Sequence, residues 1–135
     1  MTRRRSIVID GFPHANPIPH ACRVDNLLVS GGIPGFIPGT TRPAATLEEQ
    51  CAHMFAYVRA ILEKAGGTTQ DIVKVTLWMN DPANKEAVNK EWLRMFPDEG
   101  SRPARHTQPS QFGGGMLIQC DFTAVLGDTG TDNDR

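Results

Sequence analysis

Apolar residues recur along this chain with two different periods, and the changes between them mark out its elements. Leu47, Cys51, Met54, Phe55, Val58, Ile61, Leu62 and Ala65 return every three or four residues. That spacing predicts one amphipathic helix with a single apolar stripe. Thr46 with Glu49 predicts a capping box at its start, and Gly66-Gly67 a left-handed C-cap at its end. From Asp71 the period becomes two: Val73, Val75, Leu77 and Met79 alternate with Lys74, Thr76 and Trp78, as in a strand with one apolar face. Asn80-Asp81-Pro82 then predicts the start of a second helix, striped by Val88, Glu91, Trp92, Met95 and Phe96 and stopped by Pro97. A long final strand runs from Met116 to Leu126, with Met116, Ile118, Cys120, Phe122 and Ala124 on its apolar face.

Shorter signals complete the order. Ser6 to Asp10 reads as a first strand, and the proline-bearing Gly11 to Pro19 as a loop. His20 to Val24 and Asn26 to Ser30 read as a hairpin turning at Asp25-Asn26. Gly31 to Pro43 reads as surface loop, Arg105 to Gln108 as a short strand, Gly113-Gly114-Gly115 as a hairpin turn, and Gly127 to Arg135 as a frayed polar tail. The order β-β-β-α-β-α-β-β over residues 1–135 predicts a single α+β domain with both helices on one sheet face. The opposite face carries Leu117, Gln119, Asp121, Thr123 and Val125 beside Lys74, Thr76 and Trp78. It is half apolar and no third helix exists to cover it, so a second copy of the chain is expected there, with Gln119 at or near the contact.

Composition narrows the function. The 135 residues carry a formal net charge of -1, which excludes a protein-wide positive field for nucleic acid. No apolar run approaches the roughly 18 residues that cross a bilayer. Arg3, Arg4 and Arg5 read as a solvated flank rather than a targeting signal. Cys22, Cys51 and Cys120 are odd in number and widely separated, so reduced thiols in a cytosolic protein are expected. His14, His20, His53 and His106 form no HxxxH or HExxH pair, which argues against a metal. Gly31-Gly-Ile-Pro-Gly35 lacks the order of a phosphate-binding loop. The cysteines fall on predicted strands or on the helix stripe, as small buried hydrophobes do. Ser30, at a strand end before Gly31, fits a ligand contact and a turn equally well. Arg105, entering a strand, offers a planar fork suited to a carboxylate, although a surface ion pair is the commoner use of such a residue.

Four segments carry a resemblance: Leu27-Leu-Val-Ser-Gly-Gly-Ile-Pro34, Ala65-Gly-Gly-Thr-Thr-Gln-Asp-Ile-Val-Lys-Val-Thr76, Ala87-Val-Asn89 with Phe96, and Arg102-Pro-Ala-Arg105. In this order the chain resembles the reactive-intermediate deaminase family (Rid, also YjgF or L-PSP) from about His20 to Leu126. The resemblance implies a chorismate-mutase-like fold, a homotrimer and ligand clefts between subunits; neither a cofactor nor a metal is expected. It further implies hydrolysis of 2-imino or 2-enamino acids, or of a related aminomuconate-type acid, to a 2-keto acid and ammonia. By position, Arg105 resembles the arginine that grips the substrate carboxylate, while Ser30, Gly31, Asn89 and His20 resemble residues lining the cleft.

Two positions depart from the pattern. Thr107 stands where a cysteine is common, and Gln119 where a glutamate is common on the last strand. An amide can hold a water but cannot take its proton at neutral pH. Imine hydrolysis asks little of the protein, because the substrate is already electrophilic and positioning supplies much of the acceleration. His20 or His106 is a candidate substitute proton carrier. Two readings stay open: a deaminase with Arg105 and Gln119 as its catalytic pair, and a non-catalytic module that binds small carboxylates. A ribonuclease has little support, since neither aromatic-basic interleaving nor an acid–base pair is evident.

Overall fold

In the computed structural model, residues 3–13 and 16–127 are described; His14 and residues 128–135, most of the expected polar tail, lie outside them. The strands are β1 (Arg4–Ile7), β2 (Ala21–Val24), β3 (Leu27–Ser30), β4 (Ile33–Pro34), β5 (Ile72–Met79), β6 (Ala104–Pro109) and β7 (Ile118–Val125). The helices are α1 (Leu47–Lys64) and α2 (Glu86–Met95). Among the described residues the strands form one mixed sheet in the order β1-β2-β3-β7-β5-β6, with β4 also paired to β7. Only β5 and β6 run parallel among these pairs. The architecture is α+β, with two helices packed on the sheet.

Helix α1 lies where its stripe placed it, burying Cys51, Met54, Phe55, Val58, Ile61 and Leu62. Its end is built as expected: Gly66 is left-handed at φ 84° and the Gly67 amide donates to Leu62 O at 2.8 Å. Its start is half a capping box. The Glu49 amide donates to Thr46 Oγ1, but the Glu49 carboxylate accepts from the Thr46 hydroxyl instead of the Thr46 amide. On β7, Ile118, Cys120, Phe122 and Ala124 are buried as predicted.

Several expectations need correction. The first strand starts two residues earlier than its pattern suggested, at Arg4. Val73 is exposed, because a bulge between Ile72 and Lys74 gives its inward position to Ile72. The second helix starts at Glu86, not at Asn80-Asp81-Pro82. Asn80 is committed elsewhere: its side chain accepts from the Phe112 amide and donates to Met116 O, tying the 112–116 segment to the end of β5. The glycine run is a turn, with Gly114 and Gly115 at positive φ, but not a hairpin turn, since β6 and β7 lie on opposite sides of β5.

The segment expected to be loop throughout also contains β4. This strand continues along β7 where β3 leaves it, with Ile33 opposite Cys120 and Pro34 opposite Gln119. Ser30 mends the ladder at the break: its hydroxyl accepts from the Phe122 amide at 2.9 Å and donates to Gly31 O at 2.8 Å. Gln50 anchors the segments that follow. It is fully buried on α1, donating to Ala44 O and Gly115 O and accepting from the Leu117 amide. Gly35 packs against the Gln50 backbone so closely that a Cβ would collide with it.

Gln50→Leu keeps the volume but strands these three backbone groups. Chemical denaturation should show a loss of roughly 2–4 kcal/mol, the cost of leaving buried polar groups unpaired.

Candidate functional site

Strand β6 is the last in the sheet, and alternation decides what it presents. Arg105 pairs with Val75 and Thr107 with Leu77, both buried, so Arg105 and Thr107 point to the helix side. His106 and Gln108 pair with Thr76 and Trp78 and point to the open side. An inward position would ordinarily be apolar, but the helical cover thins at this edge. Arg105 is half-buried there, its Cζ 4.8 Å from the centre of the Trp92 ring on α2. Trp92 is itself held edge-on by Phe96 at 4.7 Å between ring centres.

Together with Asn89, Leu93, Arg102 and Pro103, this stacked pair lines a recess of about 380 Å³. Asn89 and Trp92 reach it from one flank of α2, being three residues apart. Arg105 Nη1 is buried and makes no hydrogen bond among the described residues. Burial lowers the Arg105 pKa from its ordinary value, but a guanidinium remains cationic at neutral pH. The recess is thus bordered by a fixed positive charge with an unused donor, and no acidic residue lines it among the described residues. Its chemistry suits a small anion with an apolar or planar body.

The other expected site residues lie elsewhere in the protomer. Gln119 faces the open side of the sheet, between Pro34 and Trp78, with its amide packed over Gly32. It is two strands across and three residues along from Arg105, about 14 Å in the sheet plane, and on the opposite face. Ser30 spends its hydroxyl on the β3–β4 break, and the Gly31 amide donates to His20 O. His20 is buried, with Nδ1 accepting from the Ile9 amide at 3.1 Å and Nε2 facing Phe12 O at 2.6 Å. The carbonyl fixes the proton on Nε2, so this imidazole clips residues 9–12 onto the sheet in its neutral form. His106 is exposed on the open side. One protomer therefore gathers Arg105 and Asn89 with Thr107 nearby, while Ser30, Gly31, His20 and Gln119 are held apart from them.

Trp92 and Arg102 were not among the expected site residues. The stripe marked Trp92 as core, and no spacing rule separates a core indole from one that supports a guanidinium. The three-residue interval shared by Asn89–Trp92 and Arg102–Arg105 was the available signal.

The thiols are not poised for attack. Burial pushes Cys51 up to about 12 and raises Cys120 further, while Cys22 is half-buried on β2. Among the described residues no cluster of three or more potential metal ligands occurs, and no helix is long and apolar enough to cross a membrane.

A thiol reagent at pH 8 should therefore label Cys22 in the native protein, and Cys51 and Cys120 only after unfolding. Because Cys51 holds its proton to about 12 when folded, against 9.0 for an ordinary thiol, the unfolded chain binds fewer protons between those values. Stability measured by denaturant titration should fall as pH rises above 9.

Comparison with known proteins adds to this geometry. A family model described as "Endoribonuclease L-PSP" matches residues 11–125. A RutC family protein from Aquifex aeolicus is 34% identical over 91 residues, covering 67% of this chain and 73% of that one. The 3-aminoacrylate deaminase RutC of Acinetobacter baylyi is 30% identical over 95 residues, covering 70% and 74%. Among solved structures, a putative endoribonuclease from Thermotoga maritima superposes with a TM-score of 0.82 at 29% identity, covering 92% of this chain and 98% of that one.

Proposed function

This chain belongs to the reactive-intermediate deaminase (Rid, YjgF or L-PSP) family, and from that premise we propose that it is a hydrolytic deaminase of small 2-imino or 2-enamino acids, aminomuconate-type acids included. The observation that carries the proposal is the half-buried Arg105, stacked on Trp92 with Nη1 lacking an acceptor, on a recess lined by no acid among the described residues. A substrate carboxylate supplies that acceptor and accepts the guanidinium fork bidentately. Stacking on Trp92 limits the swing of the fork, so the reacting carbon is presented in one orientation.

The reaction then needs a water. Its oxygen adds to the C=N carbon, a proton passes to nitrogen, and the C–N bond breaks to release ammonia and the 2-keto acid. Asn89 adds an amide to the same recess. In this reading the protein is a homotrimer. The open sheet face, with Leu27, Val29 and Val125 exposed, is covered by a neighbouring copy. That copy brings Gln119 and the backbone near Ser30 and Gly31 to the recess, with His20 behind Gly31, whose amide donates to the His20 carbonyl, while Thr107 lies beside Arg105 on the first copy. Gln119 orients the water while the substrate nitrogen receives the proton, since an amide cannot act as the base. A deaminase name among the relatives agrees with this chemistry.

A second reading keeps the carboxylate site and removes turnover. It is favoured by the amide of Gln119 in place of an acid, together with the absence of any carboxylate lining the recess.

Ammonia release from an imine generated in situ by an amino-acid oxidase tests the first reading. Arg105→Ala should lower kcat/KM by roughly 100-fold or more, the scale of losing a buried charge-paired hydrogen bond. A variant matching wild type sinks the deaminase proposal. Calorimetric binding of 2-oxobutyrate with no acceleration of imine decay would select the non-catalytic module.

A further inference from the structure

The recess contains a second cation. Arg102 lines it together with Arg105, three residues earlier in the chain. Unlike a free surface arginine, Arg102 is pinned: Nε donates to Phe96 O at 2.9 Å and Nη2 to Pro97 O at 3.3 Å, beyond the end of α2. Its Nη1 makes no hydrogen bond among the described residues, and neither arginine forms a salt bridge among them. Arg102 is exposed and also lines the adjoining recess that Asp98 borders, so two arginines, one half-buried and one exposed, border a recess whose other lining residues, Asn89, Trp92, Leu93 and Pro103, bear no charge.

Two cations on one recess repel each other weakly through solvent, and an anion bound between them turns that repulsion into attraction. A monocarboxylate satisfies Arg105 and leaves Arg102 without a counter-charge in the recess. A second carboxylate would satisfy both. The two Cα atoms are at most about 11 Å apart, a span that two arginine side chains close around a short diacid. We propose that the preferred substrates are dicarboxylates: 2-imino or 2-enamino diacids whose distal carboxylate is received by Arg102. This rests on the reading of Arg105 as the primary carboxylate anchor. It assigns Arg102 to specificity, with no role in the hydrolytic step.

Calorimetry on the full chain with 2-oxoglutarate and 2-oxopentanoate isolates the distal carboxylate, because both acids have five carbons and share the 2-oxo acid end. Wild type should bind 2-oxoglutarate at least tenfold more tightly. Arg102→Gln should bring that ratio close to one while leaving 2-oxopentanoate within about twofold, and Arg102→Lys should restore part of the preference. Equal affinity of wild type for the two acids overturns the proposal without needing any variant. So does an Arg102→Gln protein that loses both acids equally, since Arg102 then serves only the α2 terminus. If Arg105→Ala weakens both acids while wild type shows no preference, the diacid inference falls alone. If Arg105→Ala changes neither affinity, the anchor reading falls with it.

Discussion

The helices cover only one face of the sheet, and their cover gives out at β6. Everything inward-facing on β7 and β5 is closed over by α1 and α2, so those positions are apolar and dry. At the last strand the same alternation points position 105 into a half-covered edge, where a fully buried charge would be prohibitive and a fully exposed one would be solvated and mobile. The indole of Trp92 resolves that conflict by offering the guanidinium a stacking partner that satisfies none of its N–H groups. Arg105 is held in place and still has Nη1 to give. An inward-pointing charge also blunts an open sheet edge against stray strand pairing.

The supporting parts are polar but structural. Ser30 bridges the discontinuity between β3 and β4, Gln50 fastens the segments bearing Ala44, Gly115 and Leu117 to α1, and His20 clips residues 9–12 to the sheet. Each puts side-chain atoms where the backbone ladder cannot continue, and each is buried because an exposed bond of this kind would compete with water. A buried serine or histidine near a candidate site is thus not evidence of catalysis until its hydrogen bonds have been traced.

The opposite faces of the sheet divide the chemistry. Arg105, Asn89 and Thr107 belong to the helix side and its edge, while Gln119, Trp78 and Asp121 belong to the open side, where the Trp78 indole donates to Asp121 at 2.8 Å. A strand cannot bring residues of opposite parity together, so any reaction that uses both sets draws them from two copies of the chain. This makes assembly a condition of the proposed chemistry and not merely of stability.

Periodicity determined α1, the apolar stripe of α2, the inward Val75, Leu77 and Met79 of β5, the inward face of β7 and the half-apolar character of the uncovered face, and the Gly-Gly pair marked the end of α1. These are local properties, fixed by spacing of 3.6 or 2 residues and by which residues tolerate positive φ. The run Arg102-Pro-Ala-Arg105 also carried part of the resemblance that identified the family. Only the tertiary structure decided that Val73 turns outward at a bulge, that Asn80 clamps a loop instead of capping α2, and that β4 extends the sheet along β7. It alone placed Trp92 beneath Arg105 and set Arg102 on the same recess, because those relations join α2, β6 and the segment between them through packing. Sequence spacing reports which face of its own element a residue occupies. Which neighbour meets that face is settled only when the elements close on one another.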